Sequence, residues 1–171
     1  MNLYTESVPA FSKGLKNIDK WIEKALAHAD VKKFDPEIYV VARLAPDQFE
    51  FRRQIQSACD VAKFAVAKLS GTPPPVHPDT EQTIAELRAR IKTCRDYLAT
   101  ISPEAFAGAE DRLCSHTWMG GRSMKSEEYL REYALPNFYF HVVTTYSILR
   151  HNGVELGKRD YLGGLTLVSG T

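Results

Sequence analysis

At 171 residues, 44% hydrophobic and 25% charged, the chain has the composition of an ordinary globular protein and a length suited to one domain, residues 1–171. Its net charge of +1 argues against nucleic acid or an anionic membrane as a partner, since both call for a concentrated basic face. Cys59, Cys94 and Cys114 show no CxxC spacing, which speaks against a disulfide framework. The start MNLYTESVPAF lacks a basic leader, and no apolar run approaches the ~20 residues of a membrane span. The expectation is therefore a soluble, cytoplasmic protein with no membrane partner.

Taken in chain order, the first pattern opens at Ser7, a good N-cap, with Pro9 in the first turn where its missing N–H costs nothing. Val8, Phe11, Leu15, Ile18, Ile22, Ala25 and Ala29 then recur at steps of three and four and predict one long amphipathic helix. Asp35-Pro36-Glu37 starts a short helical piece that ends near Leu44. Pro46 and Asp47 open a second long helix whose inner side carries Phe51, Ile55, Ala58, Cys59, Ala62, Val66 and Leu69. Gly71 and the Pro73-Pro74-Pro75 run stop it. A third helix, capped by Asp79 or Thr80, has the stripe Ile84, Leu87, Ile91, Cys94 and Leu98.

Between Ser102 and Lys125 the helical period breaks. Arg112–Met119 alternates, and Gly120-Gly121 suits a two-residue turn, so a small β-hairpin is expected. Ser126 restarts a helix that Pro136 kinks or divides, and Asn152-Gly153 ends it. This last helix is apolar on nearly every side. Phe138, Phe140, Val142, Val143, Tyr146 and Ile148 cannot all face one core, because a bundle interior takes a stripe about 100° wide. A second copy of the chain is one partner for the surplus; the 126–135 helix, the hairpin and the tail are others. The loop from Gly71 to Asp79 reaches about 28 Å if extended at ~3.1 Å per residue, which allows the third helix to run parallel to the second as readily as antiparallel.

The blocks LPNFYFH (135–141), ILRHNGV (148–154) and GKRDYLGG (157–164) resemble the C-terminal part of a bacterial family of unknown function, number 1993. ARLAPDQF (42–49), RQIQSACDVAK (53–63) and GAEDR (108–112) match the same family in the same order. That family is similar to the DinB-like bundles, so the resemblance implies an all-α four-helix bundle, up-down-down-up, with the hairpin inserted before the last helix. It also implies a homodimer. Many DinB-like proteins hold a divalent metal, zinc or nickel, with three histidines, one early in the second helix and two four residues apart on the fourth. In this chain His141 stands at one of these places, Thr145 lies four residues on, and the second helix offers Gln54 and Gln56.

His141 is thus the metal ligand the sequence offers, and no cofactor is otherwise indicated. Its bland reading is a mostly buried imidazole bonded to a glutamine, a tyrosine hydroxyl or water. Gln54, Arg53 and Asp60 are its expected polar neighbours, and together with Thr145 they form a candidate small-molecule pocket between the second and fourth helices. Arg53 and Asp60 read equally well as solvated or weakly paired surface groups. Cys114 and His116 could share a face of the hairpin, but a Cys–His dyad also needs an orienting group and an oxyanion site. His77, among prolines, is expected to be exposed, and Cys59 and Cys94 to be small core residues. No catalytic motif is present. Two functions remain side by side: a dimeric binding or stress-related module, and a metal-dependent enzyme working by thiol transfer or hydrolysis around His141.

Overall fold

Helix α1, Leu3–Lys32, begins one turn earlier than Ser7. In this computed structural model, which describes residues 2–169, Asn2 is the cap and accepts a hydrogen bond from the Thr5 N–H at 3.1 Å. Ser7 is buried inside the helix and donates its hydroxyl to the Leu3 carbonyl at 2.5 Å. Pro9 therefore lies beyond the first turn, tolerated inside the helix. The apolar stripe from Val8 to Ala29 is buried throughout, with Trp21 beside it.

A 3₁₀ turn, Pro36–Val41, leads to α2, Phe51–Ser70. Pro46 and Asp47 do not open this helix. The Phe51 N–H is drawn back to the Ala42 carbonyl at 2.8 Å, so residues 43–50 form a separate turn before the helix starts. Glu50 occupies the cap position without capping, because its carboxylate is taken by Arg43 at 2.8 Å and Arg52 at 2.5 Å. Gly71, at φ 76°, ends α2 as expected. Helix α3, Ile84–Thr100, is capped by Thr83 in a reciprocal box with Glu86, not by Asp79 or Thr80. Asp79 cannot cap because its carboxylate is bonded to two arginines.

The hairpin is smaller and looser than the sequence suggests. Strands β1, Leu113–Cys114, and β2, Met124–Lys125, pair antiparallel with Cys114 opposite Met124. Gly120 and Gly121 both have positive φ, but they sit within a longer loop that includes a 3₁₀ turn at Thr117–Met119. Ser126 restarts the helix as α4, Ser126–Glu128, which continues through a π-helical segment, Tyr129–Ala134, into α5, Leu135–His151. Pro136 falls in the first turn of α5. The wider π turn lies just ahead of the residue that lacks an N–H, so the chain changes winding there and does not break. The tail contains a further helix, α6, Lys158–Leu162. It is strapped to α1 by Asn17 Nδ2 donating to the Tyr161 carbonyl and Trp21 Nε1 to that of Asp160, at 2.8 and 3.0 Å.

Side-chain register gives the direction of each long helix. Phe11 meets Phe138 and Trp21 meets Tyr146, so α1 and α5 run parallel. Asp60 meets Arg90 and Thr72 meets Tyr97, so α2 and α3 also run parallel. Gln54, near the start of α2, meets His141, while the Leu69 carbonyl at its end accepts from Arg112 beside the hairpin; α5 is therefore antiparallel to α2. The order is up-down-down-up around one continuous apolar core. The crossover between the parallel pair is the proline-rich loop.

Candidate functional site

The head of α2 brings Gln54 beneath α5. Gln54 Oε1 lies 2.8 Å from His141 Nδ1, and Gln54 Nε2 donates to the Phe49 carbonyl at 3.0 Å. With the amide nitrogen committed to a carbonyl, its oxygen must accept, so Nδ1 of the imidazole carries the proton. The opposite nitrogen, Nε2, then holds a lone pair that meets no hydrogen-bond donor among the described residues. His141 is only 8% exposed. Burial, and after it the nearby Arg53 guanidinium, pushes its pKa down to about 4, so the ring is neutral at physiological pH.

Thr145 stands one turn along but does not face the ring. It is fully buried, and its hydroxyl donates to the His141 carbonyl at 2.8 Å, bonding back along the helix as threonine often does. Phe140 is set edge-on to the imidazole, and the Arg53 guanidinium lies over the Phe49 ring at 5.8 Å.

Arg53 and Asp60 belong mainly to a different seam. Arg53 donates to Asp79 at 2.6 Å. Asp60 accepts from Arg90 at 2.6 Å and from Lys63 at 2.8 Å. Arg90, whose side chain is 1% exposed, also pairs with Asp79 and Glu81, both at 2.9 Å, and Gln56 donates to Glu81 at 2.9 Å. His77 is half-buried rather than exposed, with Nδ1 2.9 Å from Lys63 Nζ. Lys63 can only donate, so His77 is neutral, and burial followed by the charges of Arg90 and Lys63 lowers its pKa. Burial works against ionisation of Asp79 and Glu81, yet their hydrogen bonds hold both below the ordinary carboxylate range. This network ties the crossover loop to the parallel α2–α3 pair. Arg90 was missed in the sequence, although a signal existed: position 90 lies on the inner stripe between Leu87 and Ile91, where a cation requires partners.

The five candidate residues therefore divide. Gln54, His141 and Thr145 share the α2–α5 seam, Arg53 lies at its edge, and Asp60 serves the α2–α3 seam. An open cleft of about 430 Å³ at the head of α2 is lined by Arg43, Phe49, Arg52, Arg53, Asp79 and Gln82 among others; His141, Gln54 and Thr145 are not part of its lining.

The donor chemistry does not suit a three-imidazole metal centre. One imidazole nitrogen is free, the Gln54 oxygen is occupied by the Nδ1 proton, and the Thr145 hydroxyl is turned to the backbone. Among the described residues no three His, Cys, Asp or Glu side chains converge closely enough to hold a metal ion. Cys114 and His116 form no dyad: the thiol lies 3.7 Å from the Ser126 hydroxyl and the imidazole 3.1 Å from the Tyr129 hydroxyl. Burial raises the Cys114 pKa, which disfavours a thiolate nucleophile. Cys59 and Cys94 are core residues, as their stripes predict.

The family described as domain of unknown function (DUF1993) matches residues 3–162. The chain belongs to that family. It is also similar to a solved DinB family member protein from Shewanella denitrificans, at 45% identity over 98% of this chain and 96% of that one, with a TM-score of 0.94. No curated protein matches the sequence. The relationship places the chain among DinB-like all-α bundles, and the topology read from side-chain register agrees with it.

Proposed function

We propose that this DinB-like protein is a cytoplasmic homodimeric binding module, with the Gln54–His141 pair as its ligand contact. The observation that carries this reading is the fixed tautomer of His141. A neutral imidazole with Nδ1–H pinned by an amide presents one lone pair at Nε2, suited to accept a hydrogen bond from an uncharged ligand N–H or O–H. A single acceptor atom of this kind can orient a ligand beside the Phe140 ring. The same pair supplies neither a metal tripod nor a nucleophile.

The dimer rests on α5. Phe138, Val142 and Ile148 turn inward, while Tyr139, Phe140 and Val143 stay exposed on the opposite side, Phe140 to 55%. An apolar line of this kind along one helix is what a symmetric helix–helix contact buries. Free cysteines throughout the described residues suit a reducing compartment.

Two measurements test the reading. Light scattering of a dilute sample should give a dimer, and Phe140→Asp with Val143→Asp should give a folded monomer; a monomeric parent protein overturns the assembly. Protein purified without added metal should contain no stoichiometric zinc or nickel. Stoichiometric metal that is lost in His141→Ala would overturn the binding-module reading in favour of a metal-dependent hydrolase or thiol transferase.

A further inference from the structure

A second concavity lies where the end of α1 meets the α5–α6 connection. It is an open cleft of about 1070 Å³ lined by Lys24, Lys32, Arg150, Lys158 and Arg159, with Glu155 and Asp160 as its acids. Five cations thus face two carboxylates in one cleft, while the whole chain carries a net charge of only +1. One of the two acids is already neutralised, since Asp160 pairs with Lys24 at 2.6 Å. Lys32, Arg150, Lys158 and Arg159 meet no carboxylate at salt-bridge distance among the described residues.

Helix dipoles account for part of this pattern. Lys32 and Arg150 lie in the last turns of α1 and α5, where cations are favoured. Lys158 and Arg159 are different: they belong to the five-residue α6, with Arg159 in its last turn, a helix too short for its dipole to assign either residue. Neither pairs with a carboxylate at salt-bridge distance among the described residues, and both side chains are exposed. These four cations come from three separate elements and line one concavity, as polar groups do in ligand sites; Arg150 also donates to the Val154 carbonyl at 3.3 Å. Ala27, Val31 and Leu156 add apolar lining to the same cleft.

We propose that this cleft binds a small organic polyanion of the phosphate-ester class. Lys32, Arg150, Lys158 and Arg159 hold its charged end, and Ala27, Val31 and Leu156 receive its apolar part. Two arginines and two lysines exceed what a single carboxylate can engage, and guanidinium forks match phosphate oxygens in pairs. The concave shape and the volume fit a small molecule better than the flat face of a protein partner.

Isothermal titration at low salt tests the assignment with ATP, inorganic triphosphate and adenosine as probes. ATP should bind saturably at one site, triphosphate more weakly, and adenosine without detectable heat. Lys158→Glu combined with Arg159→Glu should weaken ATP by about tenfold or more. Both side chains are exposed, so an unchanged melting temperature is expected and separates lost binding from lost fold. Arg43→Glu, in the cleft at the head of α2, should leave ATP binding unchanged. Absence of saturable ATP binding at millimolar concentration overturns the proposal, as does a double variant that binds like the parent or an Arg43→Glu variant that loses binding equally. Equal affinity for triphosphate and ATP overturns the organic part of the assignment.

Discussion

The two polar seams that flank α2 solve the same problem differently. On the α3 side, Arg90 is surrounded by Asp60, Asp79 and Glu81, and Lys63 and Gln56 take up remaining oxygens. On the α5 side there is one neutral hydrogen bond, Gln54 to His141, and an unused lone pair. A buried charge needs nearly all its bonding capacity satisfied at home, because desolvation is otherwise too costly. A buried neutral group can leave one site open for a fraction of that cost. The charged seam is therefore an anchor for the crossover loop, and the uncharged seam is where the proposed ligand contact lies.

The largest effect that would separate the seams is expected from Arg90→Met. It removes the cation shared by three carboxylates, leaving Lys63 on Asp60, Arg53 on Asp79 and, among the described residues, none on Glu81, and urea denaturation should show a loss of about 3–5 kcal/mol. A loss below about 1 kcal/mol would mean that the network is solvated and anchors nothing.

The next effect concerns pH. The His141 pKa is lowered from 6.5 to about 4, so the folded state resists a proton that the unfolded chain accepts. The stability this contributes is fully present above pH 6.5 and is lost as pH falls through that value toward 4, by up to about 3 kcal/mol. Asp79 and Glu81 are lowered from carboxylate values, so their contribution disappears in a separate, more acidic window. His77 is also lowered, by burial and then by the charges of Arg90 and Lys63, and contributes a loss of the same sign as pH falls. The difference between parent and His141→Gln, followed by denaturation across pH 4–7, isolates the α5 seam; equal slopes would break the comparison.

The smallest effect is expected at Arg53, which touches both seams. Arg53→Gln removes a half-exposed pair with Asp79, costing about 0.5–1 kcal/mol. It also removes a positive charge that lowers the His141 pKa. Imidazole resonances followed by NMR should therefore titrate at higher pH in this variant, and a shift in the opposite direction would contradict the electrostatic account.

Much of the fold was legible because it rests on periodicity. The stripes of α1, α2 and α3 all lie in the core, and Gly71 and Asn152-Gly153 end their helices where expected. Helix starts were less legible. Asn2, Thr83 and Glu50 hold the cap positions, but which capable residue actually caps depends on tertiary partners such as the arginines that occupy Asp79. The α6 strap gave no periodic signal, since five residues dock through Asn17 and Trp21 to backbone carbonyls. At the site, Gln54 and His141 lie on facing inner positions, and a hydrogen bond joins them. Asp60 faces the other way, to Arg90 and Lys63, a pairing that depends on the crossover placing α3 parallel to α2 and leaves no mark in either stripe alone.

The π-helical segment Tyr129–Ala134 has a consequence for how this family can tolerate insertions and deletions. Each residue of an α-helix turns the chain by about 100°, and a π turn holds one residue more than the α turn it replaces. Removing one residue there would restore regular winding at the cost of phase. Tyr129 and Leu130 could keep their places in the core, or His141 could keep its bond to Gln54, but not both. The π turn is thus a one-residue gear between the hairpin end of the molecule and its candidate site, and a length change in this segment would rotate the imidazole away from its partner.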